Sequence, residues 1–127
     1  MNTKYLMVAS SLFLGLLGLS ATFLPQEILS LLEQEATVTL ALLTQLMGAL
    51  YLGFAILNWM AKTVLIGGIY AKPLSQGNFC HFVIGAITLW KHAFDTPSIA
   101  LWVVAGLYAI FAITFGTISF THPKLKS

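Results

Sequence analysis

Four apolar runs take up most of this chain: Tyr5 to Leu24, Val38 to Met60, Asn78 to Phe94 and Ile99 to Phe120. Each is close to the ~20 residues that a hydrocarbon core of ~30 Å demands of a crossing helix, the third being the shortest. Of 127 residues, 58% are hydrophobic and 8% charged, and the mean hydropathy is +0.90. A water-soluble fold of this size could not bury that much apolar surface, so an integral membrane protein is predicted. No run alternates apolar and polar residues, which excludes a β-barrel. The expected fold is all-α: one domain over residues 1–127, an antiparallel up-down-up-down four-helix transmembrane bundle.

The breaks between runs carry turn chemistry. Pro25 closes the first run, Pro97 opens the fourth, and Pro73 with Ser75, Gln76 and Gly77 reads as a turn before the third. From Pro25 to Thr37, Ile28, Leu29, Leu31 and Leu32 are set against Glu27, Glu33 and Glu35. That pattern predicts a short amphipathic helix at the membrane surface. Thr63 to Ala71 is apolar but too short to cross, and its Gly67-Gly68 pair favours an interfacial hook. The first run begins after Lys4 and reaches Leu19-Ser20-Ala21, yet it exceeds the ~7–15 residues of a signal-peptide core. It is expected to stay as a span.

Charge gives the orientation. Lys4, Lys62, Lys72, Lys124 and Lys126 fall on the side shared by both ends of the chain and the middle connection. Glu27, Glu33, Glu35 and Asp95 fall on the other side, where Lys91 is the only lysine. The positive-inside rule then places both termini in the cytoplasm, which requires an even number of spans. A multi-pass protein of the cytoplasmic (inner) membrane is expected, with Trp59, Trp90 and Trp102 as interface anchors. A net charge of +2 split between the ends gives no footprint for nucleic acid.

Polar and small residues run in stripes at helical spacing. In the third run, Asn78, His81, Gly85, Thr88, His92 and Asp95 share a face, which should point at protein because lipid cannot satisfy it. The second run carries Thr44, Gly48, Tyr51, Ala55, Asn58 and Lys62, with Gln45 beside them. Ser11, Gly15, Gly18 and Thr22 form a small-residue seam in the first. Ser98, Trp102, Ala105, Ala109, Ala112, Gly116 and Ser119 form one in the fourth. With the orientation above, Asn58, Asn78 and His81 collect near the cytoplasmic face. Gln45, Lys91, His92 and Asp95 collect near the outer face, and Tyr51 lies between. Gln45, Tyr51, Asn58, Asn78, His81 and His92 are the candidate ligand-binding residues, set against a purely structural role as hydrogen bonds between helices.

Several chemistries lack their residues. The chain contains no arginine for bidentate capture of phosphate or carboxylate, and its one cysteine, Cys80, provides neither an internal disulfide nor a CxxC redox pair. His81 and His92 stand ~16 Å apart along a helix, too far to share one metal or haem iron. All four acids lie at span ends or in loops, where none serves proton-coupled efflux at mid-membrane. Ser98 could neighbour His92 and Asp95, but no nucleophile elbow surrounds it. No catalytic residues, metal or cofactor are assigned.

At QLMGALYLGFAILNWMAK (Gln45 to Lys62) and NFCHFVIGAITL (Asn78 to Leu89) the chain resembles small four-span bacterial membrane proteins, loosely similar to the DoxX-like group. The early arginine often met in that group is absent. The resemblance implies a four-helix bundle in a bacterial cytoplasmic membrane, with Gln45, Asn58, Asn78 and His81 as the positions of interest. The leading expectation is a protein without enzymatic activity. It would be an accessory subunit of a larger membrane complex, or a homo-oligomer, or it would bind a hydrophobic small molecule such as a lipid or quinone. The alternatives are a membrane enzyme acting on a lipid-like substrate with His81 as acid/base, and a small dimeric transporter.

Overall fold

A computed structural model describes residues 3–64, 71–95 and 98–120. Among these residues the protein is all-helical, with five helices and no strands: α1 (Thr3–Phe23), α2 (Pro25–Leu31), α3 (Val38–Met60), α4 (Lys72–Asp95) and α5 (Ile99–Phe120). Three of them, α1, α3 and α5, are long and apolar enough to cross a membrane. At 24 residues α4 is as long, but it carries Lys72, Gln76, Asn78, His81, Lys91, His92 and Asp95 and is the most polar of the long helices. The expected hook at Thr63 to Ala71 falls largely outside the described residues, as do Pro97 and the tail with His122, Lys124 and Lys126.

The chain divides into two compact units, Lys4–Thr63 and Val64–Ser127 with Met1–Thr3. In the first, α1 and α3 run antiparallel with their backbones in contact. A Cβ on Gly18 would lie 2.9 Å from Leu52 N, and one on Gly48 would lie 2.8 Å from Thr22 N. Only glycine permits that approach, and the bare backbones gain close dispersion contact there. Between them α2 starts on Pro25, whose missing N–H is an orphan at a helix start anyway. It ends in a Schellman turn: Gln34 N–H donates to Leu29 O at 2.8 Å and Glu33 N–H to Ser30 O at 3.0 Å, with Glu33 at φ 58°. The helix is thus shorter than the Pro25 to Thr37 stretch, because the chain turns there to reach α3. The Thr37 side chain opens α3 by accepting from Leu40 N at 3.1 Å.

In the second unit α4 and α5 are antiparallel and joined by rings. Phe82, wholly buried, stacks on Phe111 and Phe115 with centroids 5.0 and 5.6 Å apart and meets Tyr108 edge-on at 5.1 Å. Phe79 meets Phe120 at one end, and at the other Trp102 packs edge-on against both Trp90 and Phe94. Each such pair contributes about 0.5–1.5 kcal/mol beyond the area it buries.

The start of α4 differs from the sequence expectation. Helix begins at Lys72, so Pro73, Ser75, Gln76 and Gly77 form its first turns and not a preceding turn. Proline is tolerated there because it has no inner carbonyl to satisfy. The Ser75 hydroxyl donates to Lys72 O at 3.0 Å and the Asn78 amide to Leu74 O at 3.0 Å, so both polar side chains serve the helix that contains them.

Candidate functional site

The polar stripe expected along the third run divides. Asn78 is fully buried and His81 and Gly85 are half-buried, but Thr88, His92 and Asp95 are exposed. The buried line of α4 instead passes through Ser75, Asn78, Phe82, Ala86 and Ala93. Thr88 has no need of protein cover, since its hydroxyl donates to Ile84 O at 2.8 Å within its own helix. The core position one turn after Asn78 goes to the ring of Phe82.

In the first unit, Asn58 is the deepest of the candidate residues. Its Nδ2 donates to Ser10 Oγ at 2.9 Å, and that hydroxyl donates in turn to Met7 O at 3.1 Å. Both side chains are wholly buried. Gln45, exposed, spans the same pair of helices at the other end, with Nε2 3.2 Å from Thr22 O, and Tyr51 is half-buried between them. Polar groups in this unit therefore link α1 to α3 at two levels.

In the second unit, His81 Nε2 lies 3.0 Å from the Tyr108 hydroxyl, one ring donating and the other accepting according to the histidine tautomer. Gly85, one turn on, leaves the space that the Tyr108 ring fills. Sequence reasoning passed over both Ser10 and Tyr108. For Tyr108 the signal was present: it is the only tyrosine of α5, and its hydroxyl wants a partner when buried. For Ser10, adjacent to the Ser11 of the expected seam, nothing local distinguished the two.

Beside the rings, α4 and α5 enclose an open groove of about 480 Å³. Its floor is Ala86, Ala109 and Ala112, and its walls include Ile87, Trp90, Phe94 and Ile113. Among the described residues that line it, Lys91 alone is charged. Here the small residues of α5 serve a cavity as well as a packing seam. No group of three or more His, Cys, Asp and Glu side chains that could hold a metal ion occurs among the described residues. Cys80 is free and exposed.

Helices, buried polar links and groove together define an all-helical protein with three membrane-span-like helices and an apolar cleft on its fourth and fifth elements. The chain matches no family model, no curated protein and no solved structure.

Proposed function

We propose that this is an integral membrane protein that binds a hydrophobic small molecule, a lipid or quinone, without transforming it. In this reading α1, α3, α4 and α5 all cross a bacterial cytoplasmic membrane as an up-down-up-down four-helix bundle with both termini inside, as in the DoxX-like group. The even span count follows from the lysines at both ends, and α4, at ~1.5 Å per residue, is long enough to cross. Large apolar side chains exposed on α1, α3 and α5, such as Leu16, Leu46 and Ile110, support contact with lipid.

The groove of α4 and α5 carries the ligand reading: it is apolar, open and floored by alanines. The polar residues near it have structural partners: Asn78 bonds its own helix, and His81 faces Tyr108, with no carboxylate among the groups described against it. The test is gentle detergent extraction from the native membrane, followed by mass spectrometry of everything that copurifies. One enriched lipid or quinone is the expected result, and a preparation carrying no small molecule would defeat the reading.

A second reading, an accessory subunit or homo-oligomer, draws on Gly53. It lies one turn after Ala49 on the exposed face of α3, and a Cβ there would meet nothing within 4 Å. A companion protein in fixed ratio in the same experiment, lost on Gly53→Leu, supports this reading against the first.

A further inference from the structure

We infer that the α4–α5 groove is a site for an anionic glycerophospholipid, with an acyl chain along its alanine floor and the phosphate at Lys91. The inference rests on the hydrophobic-ligand reading above and gives it a place and a chemical class. The α4 side of the groove is built by Val83, Ala86, Ile87, Trp90, Lys91 and Phe94, which recur at helical spacing on one face. From Val83 to Phe94 that face extends ~16 Å along the helix axis, an elongated slot and not a compact chamber. A flexible hydrocarbon chain fits such a slot.

Polarity is confined to one end. Lys91 lies near the C-terminus of α4, beside Trp90 and Phe94, which pack on Trp102. A cluster of tryptophans marks the depth at which head groups begin, and a lysine there lays its carbon stem along apolar surface while the ammonium reaches the polar zone. Asp95 follows one turn later and His92 is the neighbouring residue, and all three side chains are exposed. The ammonium is thus available at the height of a lipid phosphate. A quinone would bring no charge to meet it, and a choline or ethanolamine head group would bring a second cation.

The experiment uses the full chain in nanodiscs and measures retained lipid by native mass spectrometry, with phosphatidylglycerol and phosphatidylcholine in competition. The expected result is a preference of about fivefold for phosphatidylglycerol, the size expected of one lysine near an anionic surface. Lys91→Gln should abolish the preference while lipid stays bound, and Ala109→Leu, which fills the floor, should expel both lipids. Unchanged far-ultraviolet circular dichroism and a monodisperse elution profile report that each variant is folded. Retained lipid without preference, or a preference that survives Lys91→Gln, overturns the inference and leaves hydrophobic-ligand binding standing. A wild-type protein that retains no lipid overturns both. A dimer in which a second copy shields Lys91 from acylation overturns the inference in favour of self-association.

Discussion

Gly85 lies so close beneath the ring of Tyr108 that a methyl group on it would sit 2.7 Å from Tyr108 Cδ1. The missing side chain and the large ring are one feature, and together they set the Tyr108 hydroxyl 3.0 Å from His81 Nε2. Alanine at 85 favours the helix by about 1 kcal/mol but must displace a ring that is almost wholly buried. Overpacking of that kind costs about 1–3 kcal/mol. Gly85→Ala should therefore lower the melting temperature in detergent. Tyr108→Phe, which removes only the hydroxyl, should cost about 0.5–1.5 kcal/mol, the net worth of one hydrogen bond between side chains.

Two glycines of α3 should respond in opposite directions. Gly48→Ala would place its Cβ 2.9 Å from Gly18 O, and the backbone of α1 cannot give way as a flexible side chain can. A loss of about 1–3 kcal/mol is expected. Gly53→Ala meets open space and should gain up to about 1 kcal/mol from helix propensity. Thermal unfolding of the two variants side by side checks the sign, and equal effects would show that α1 and α3 are not in backbone contact there.

Asn58→Ala removes the buried link to Ser10 but leaves the Ser10 hydroxyl its bond to Met7 O. A loss of about 1–3 kcal/mol is expected, since burial is complete and the cavity adds to the lost bond. Gln45→Ala, at an exposed site, should cost less than 1 kcal/mol. Chemical denaturation in mixed micelles ranks the two.

Glu33 occupies the left-handed position that closes α2, where a side chain costs roughly 1–2 kcal/mol and glycine is the usual choice. Glu33→Gly should raise stability by about 1 kcal/mol at most, reduced by the extra freedom glycine has when unfolded. A lower melting temperature would mean that the carboxylate has a role beyond the turn.

Span-like helices were the most legible part of the fold. Val38–Met60 and Ile99–Phe120 begin and end where the sequence expects them, because apolar length and a flanking break leave few choices. Gly15, Gly18 and Thr22 against Gly48 and Ala55 were legible too, since small residues at helical spacing have few other uses in such a chain. The start of α4 was not. Pro73, Ser75 and Gly77 have turn chemistry by type, and only their position in the first turns makes them helical. The lower half of the polar stripe misled for a similar reason: Thr88 satisfies itself within its helix, so its polarity says nothing about which way it faces. Tyr108 and the groove escaped because each is made by two helices at once. The depth over Ala86 depends on Ala109 and Ala112, which their own stretch offers only as packing residues.

The ring pairs of the second unit are nested: Trp90 with Trp102, then His81 with Tyr108, then Phe79 with Phe120. Each pair, once made, shortens the search for the next, so the entropy of closing the hairpin is paid in small steps. Such a zipper can start at the connection and run outward. As α5 emerges during synthesis it can then find its place against α4 before any more distant part of the chain is needed.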